Sequence, residues 1–150
     1  MGLRRESREI AVQTLYALYL TPECLETSAK IPALINEKLA QVIAFNDKAL
    51  SNSQKEFSYF LIENTYNHLG TIDDLIKQFS EHWDFNRIAI LDKGILRMSI
   101  MEMEFTETDS KIIINEAIEI AKKFSGEKSG KFINGILDAV MHRKDKNDKV

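Results

Sequence analysis

Residues 114–138 read "INEAIEIAKKFSGEKSGKFINGILD". Apolar side chains recur at the helical period on both sides of a Gly/Ser-rich joint, which makes this stretch two amphipathic helices. Ser110 starts the first, with Ile114, Ala117, Ile118 and Ala121 on its apolar side, and Ser129 starts the second, with Ile133, Ile136, Leu137, Val140 and Met141. Lysines crowd the joint of a chain whose formal charge is −3. That concentration of positive charge needs an explanation.

The same period extends outward in both directions. The chain has 150 residues, with only two prolines and six glycines to interrupt it. Ala11, Leu15 and Leu18 mark a helix that stops near Thr21 and Pro22, and a second fits Ile31 to Phe45. Ser53 and Glu56 have capping-box spacing for a third, whose imperfect stripe runs through Phe57, Phe60, Leu61, Asn64 and Thr65. After His68-Leu69-Gly70, Thr71 caps a short fourth helix with carboxylates in its first turn. Asp84 or Asn86 opens a fifth, with Ile88, Leu91, Ile95 and Met98 along one side. The sum is an all-α bundle domain of about seven helices over residues 1–142. Residues 143–150 form a charged tail that lacks apolar anchors and is expected to fray.

Composition narrows the function classes. Cys24 is the single cysteine, and His68, His82 and His142 have no ligand-like spacing with it, which argues for a reducing compartment and against a structural metal. No apolar run approaches the roughly 20 residues of a membrane helix, and a cytoplasmic setting is expected. No Gly-rich phosphate loop, nucleophile motif or cofactor motif occurs, so no cofactor is expected. Asp73 and Asp74, adjacent on a helix and so about 100° apart, fit dipole compensation better than acid/base catalysis.

Charge is distributed unevenly. Residues 1–8 carry a balance of +2 and residues 120–150 one of +4, while residues 9–119 carry −9. Basic charge at both ends of the chain would attract phosphates if the fold brings those ends together. Arg4 and Arg8 are four apart with Arg5 beside them, and arginine suits phosphate recognition. Phe132 sits about 100° around its helix from Ile133, at the edge of the apolar stripe beside Lys131 and near Lys128. An edge aromatic among lysines suits base stacking on single-stranded RNA, and a wider core stripe is the alternative. On this reading the Ser125-Gly126 and Ser129-Gly130 joint is a phosphate-facing corner.

The segments "RRESREIAVQTLY" (4–16), "LDKGILRMSIMEME" (91–104), "INEAIEIAKKFS" (114–125) and "SGKFINGILD" (129–138), in this order and spacing, resemble the NusB family of bacterial transcription antitermination factors. The resemblance spans nearly the whole chain. It implies an all-α fold of two small packed helical bundles that binds single-stranded boxA RNA of nascent ribosomal RNA transcripts. It also implies a partner, the small-subunit ribosomal protein NusE, a place in the RNA polymerase antitermination complex, and a monomer or homodimer. Carried over by motif, the RNA side comprises Arg4, Arg5, Arg8, Lys111, Lys128, Lys131 and Phe132. The partner side comprises Tyr16, Asp92, Arg97 and Glu102, with an internal salt bridge as the alternative for Arg97. Gly94, in mid-helix, fits a close helix approach or an approaching partner. Two rival readings are a protein-only adaptor for a basic partner and a stand-alone relative of the N-terminal domain of ribosomal RNA cytosine methyltransferases.

Overall fold

The structure, a computed structural model, describes residues 2–21 and 30–148; Pro22 and Cys24 lie outside them. Seven α-helices follow one another among the described residues: α1 (Gly2–Tyr19), α2 (Ile31–Asn46), α3 (Asn52–Asn67), α4 (Leu69–Phe79), α5 (Ile90–Phe105), α6 (Ser110–Phe124) and α7 (Glu127–Asp148). A 3-10 turn, Phe85–Arg87, precedes α5, and no strand occurs among the described residues. The chain divides into two compact units, Met1–Asn67 and His68–Val150.

In the first unit α1 packs on α2 and α3. Ile10, Ala11, Val12, Leu15 and Leu18 of α1 are buried, as are Ile35 and Leu39 of α2 and Leu61 and Ile62 of α3. The buried stripe of α3 is Gln54, Ser58, Leu61, Ile62 and Thr65, rotated away from the phenylalanines that periodicity selects; Phe57 is half-buried and Phe60 is exposed. Hydroxyl hydrogen bonding accounts for the shift. Ser58 Oγ donates to the Ser7 carbonyl at 2.8 Å, and the single Ser7 hydroxyl proton is shared between the carbonyls of Leu3 and Gln54, 3.1 and 3.3 Å from Oγ. Small polar residues whose donors are satisfied by backbone can be buried without the cost of an unpaired group.

Four helix starts differ from their sequence expectation. α4 begins at Leu69 after His68, so Thr71 lies inside the helix and does not cap it, and Asp73 and Asp74 fall beyond the first turn. The capping box of α3 is Ser51 with Gln54: Gln54 N donates to Ser51 Oγ at 3.1 Å and Ser51 N donates to Gln54 Oε1 at 3.0 Å. Gln54 Nε2 also reaches Leu3 O and Glu6 Oε2 on α1, a tertiary tie that Glu56 lacks. Asp84 accepts from Asn86 N at 3.0 Å and so caps the 3-10 turn, while extended Ala89 delays α5 to Ile90. α7 begins at Glu127, two residues before Ser129.

In the second unit α6 packs on α7, α5 lies against α4, α6 and α7, and α4 also meets α7. Buried positions run through most of α5 from Asp92 to Met103, Gly94 among them. Ile113, Ile114, Ala117, Ile120 and Ala121 of α6 and Ile133, Ile136, Leu137 and Val140 of α7 complete this core. Gly126 turns the chain between α6 and α7 with φ +106°, and the N–H groups of Ser125 and Gly126 both donate to Ala121 O, at 2.7 and 3.0 Å. Gly130 lies inside α7, where a Cβ would meet only ordinary contacts, 3.4 Å from Lys122 Cγ, so it takes no part in the turn. The charged segment after Met141 continues α7 to Asp148; Arg143 pairs with Glu104, and Lys144 donates to the Met103 carbonyl.

Candidate functional site

The arginine-rich first turn of α1 is divided by burial. Arg4 is exposed, with its guanidinium carbon 4.3 Å from the centroid of the Phe57 ring. Arg8 is only 4% exposed and lies 5.4 Å from the same ring, and Arg5 is half-buried. One phenylalanine ring thus meets two guanidinium groups. Arg8 belongs to the packing of its unit, and of the three arginines only Arg4 is exposed. Tyr16, further along α1, is 42% exposed.

In the second unit Lys111 is exposed in the first turn of α6, and its N–H is capped by Asp109 Oδ1 at 2.8 Å. Lys128 and Lys131 are exposed on the first turns of α7. Phe132 is half-buried and meets Trp83 edge to face, the centroids 5.3 Å apart at 70°. Their rings border a surface recess of about 210 Å³ that Arg87, Asp92, Lys128 and Ser129 also line. Trp83 carried no sequence signal beyond being the chain's single tryptophan, yet it lies in the loop after α4 and is 62% exposed at this recess.

Three residues expected on the partner side are turned inward. Asp92 is 7% exposed; its Oδ2 accepts from Ser129 Oγ at 3.1 Å, and its buried Oδ1 has no hydrogen-bond partner. Burial raises the Asp92 pKa above the ordinary aspartate value, against the hydroxyls of Ser129 and Ser125, which favour the charged form. The structure therefore brings Asp92 together with Lys128 and Phe132, residues of the expected RNA side. Arg97 follows its alternative reading: Nε and a terminal nitrogen donate to Asp73 Oδ1 and Oδ2 at 2.8 and 3.0 Å. Glu102 is 1% exposed, and its carbonyl accepts from Thr106 Oγ1 at 2.6 Å. Charge spacing along α5 does not report this burial.

Sequence reasoning also missed a cluster around Phe85. Lys93 Nζ, Lys77 Nζ and the Arg97 guanidinium lie 4.4, 5.0 and 5.8 Å from its ring centroid. Burial lowers the Lys93 pKa and Arg97 adds to the effect, partly offset by Asp73 and Asp84. Among the described residues no cluster of potential ligands could hold a metal ion, and no helix is long and apolar enough to cross a membrane.

Residues 5–142 match the family model described as NusB family. The chain belongs to the NusB family. Among NusB-family relatives, the transcription antitermination protein NusB of a Nitratiruptor species is 39% identical over 141 residues, covering 93% of this chain and 92% of the relative. That of Wolinella succinogenes is 36% identical over 140 residues, covering 93% and 95%. Of solved structures, T. maritima NusB is similar with a TM-score of 0.75 at 30% identity, covering 91% of this chain and 89% of that one. The crystal structure of antitermination factors NusB and NusE in complex with dsRNA has a TM-score of 0.75 at 23% identity, covering 93% and 96%, a likeness of fold. The NusB-family fold is thus all-α in this chain, as its periodicity and its resemblance imply.

Proposed function

We propose that this NusB-family chain is a transcription antitermination factor. In this reading it binds boxA-type single-stranded RNA of nascent ribosomal transcripts together with a NusE-type small-subunit ribosomal protein, and joins the RNA polymerase antitermination complex. The carrying observation is family membership with relatives named for transcription antitermination, aligned over 93% of the chain. Exposed cations add support: Arg4 on one unit and Lys111, Lys128 and Lys131 on the other are available to phosphates in a chain that is acidic overall. Phosphate contacts by these side chains would position the RNA, and an aromatic such as Phe132 would stack on a base.

On the partner side, Tyr16 is the direct contact in this proposal, since a half-exposed tyrosine offers both ring area and a hydroxyl to an interface. Asp92, Arg97 and Glu102 act from within the second unit, by holding α5 in place.

The test is a size-exclusion experiment that mixes the chain with a purified NusE-type protein, with and without ribonuclease. A nuclease-resistant complex that Tyr16→Ala weakens by tenfold or more supports the reading. Absence of a complex under both conditions would remove the partner assignment. A stable complex that never retains RNA would favour the protein-only adaptor.

A further inference from the structure

The cations at the start of α1 sit where the helix works against them. Arg4 lies in the first turn with Arg5 next to it, no carboxylate occurs in that turn, and the helix dipole disfavours positive charge at this end. Arg4 and Arg8, four apart, add the repulsion of like charges. Helix stability does not explain the arrangement, whereas an anion arriving at this end would be favoured by the dipole and the cations alike.

The turn is held in place from α3. Gln54, Phe57 and Ser58 have i, i+3, i+4 spacing and so share one face of that helix. Gln54 Nε2 donates to Leu3 O and Glu6 Oε2 at 3.3 and 3.1 Å, and Ser58 Oγ donates to the Ser7 carbonyl at 2.8 Å. Backbone is thus fastened on both sides of Arg4, in a part of a helix that otherwise frays. Phe57, between the two polar ties, is half-buried, with its ring centroid 4.3 Å from the Arg4 guanidinium carbon and 5.4 Å from that of Arg8. Arg8 is only 4% exposed, so of the two guanidinium groups at the ring the exposed Arg4 is the one that can reach a phosphate.

We propose that Phe57 is a positioning residue for RNA binding: its ring holds the Arg4 guanidinium ready for a backbone phosphate, while Gln54 and Ser58 hold the turn that carries it. The inference rests on the RNA-binding reading above and deepens it by naming the group that orients an arginine of the RNA side. An unsupported arginine surrenders rotamer freedom when it grips a phosphate. One already resting on a ring has surrendered much of that freedom beforehand, and the saving appears as affinity. Guanidinium chemistry permits both contacts at once, because the planar face can rest on a π system while the N–H edge meets phosphate oxygens. Phe57 itself touches no RNA.

The test titrates end-labelled single-stranded boxA-type RNA with the full chain and an equimolar NusE-type protein, comparing Phe57→Leu, Phe57→Tyr, Arg4→Gln and the double variant of Phe57→Leu with Arg4→Gln. Phe57→Leu should weaken RNA binding about two- to fivefold, the range of an exposed cation–π contact, and Phe57→Tyr, which keeps the ring, should bind within about twofold of the unmodified chain. Arg4→Gln should weaken binding at least as much and lower the log-log salt slope by about 0.7. The double variant decides: with Arg4 gone, Phe57→Leu should have no further effect on affinity. A purely structural role would weaken both backgrounds equally, and such additivity would overturn the inference while leaving the RNA-binding reading standing. Unchanged affinity in Phe57→Leu or in Arg4→Gln would also overturn it. Melting curves verify that each variant is folded at the titration temperature, and Phe57→Met replaces Phe57→Leu in the same comparison if the latter is not. An unmodified pair that binds RNA no better than the NusE-type protein alone would overturn the inference and the RNA-binding reading together.

Discussion

Arg97 grips Asp73 with two parallel hydrogen bonds of 2.8 and 3.0 Å, joining α5 to the first turns of α4. Both side chains are largely enclosed, at 16% and 17% exposure, so the pair is worth more than a surface ion pair and less than a fully desolvated one. Arg97→Ala should therefore destabilise the chain by about 1–3 kcal/mol. The double variant with Asp73→Ala should lose less than the sum of the two single changes. Urea denaturation of the four proteins measures the coupling, and strict additivity would show that the pair contributes nothing.

Two overlapping capping boxes compete at the start of α3, and the structure uses Ser51 with Gln54. Ser51→Ala should cost about 1 kcal/mol. Ser53→Ala, at an exposed position, should stay within about 0.5 kcal/mol. The reverse order of midpoints in denaturant would return the cap to Ser53 and Glu56.

The two glycines near the α6–α7 joint should respond in opposite ways. Gly126, at φ +106°, occupies backbone space that L side chains rarely adopt, so Gly126→Ala should cost about 1–3 kcal/mol. Gly130 lies in a helix with only ordinary contacts awaiting a Cβ, so Gly130→Ala should be neutral or stabilising by up to about 1 kcal/mol. Thermal melting separates the two directions.

Asp92 should leave a mark on the pH dependence of stability. Burial raises its folded-state pKa, so between the unfolded value and the folded one the native chain holds the proton more often than the unfolded chain does. Stability contributed by the protonated acid is thus fully present below about pH 4, the ordinary aspartate range, and is lost as pH rises through the folded value. Relative to the unmodified chain, Asp92→Asn should gain stability as pH rises from about 4 towards neutrality. A stability difference between the two that does not change with pH would contradict this.

Much of this architecture is legible in the sequence because apolar periodicity is a local property. Ile133, Ile136, Leu137 and Val140 repeat at helical spacing and are buried as expected, and the same holds for Ala11, Leu15 and Leu18. Rules based on periodicity fail where polar side chains settle the packing, as when Ser7 and Ser58 bond backbone carbonyls and rotate the buried face of α3 away from Phe60. The recess is illegible for a different reason. Trp83 in a loop, Asp92 on α5 and Phe132 on α7 meet only through tertiary packing, and no local pattern links a loop aromatic to a carboxylate on a later helix. The partner side illustrates the same limit: of Tyr16, Asp92, Arg97 and Glu102, only Tyr16 is exposed.

The central claim is that this chain works on RNA in company with a NusE-type protein. Its most direct test is a titration of boxA-type single-stranded RNA with the equimolar pair, and with each protein alone, across a series of salt concentrations. The account predicts that the pair binds more tightly than either protein alone and that affinity falls with salt, with a log-log slope of about −0.7 for each phosphate neutralised. Binding by the pair that is no tighter than by the NusE-type protein alone, or that does not respond to salt, would contradict it.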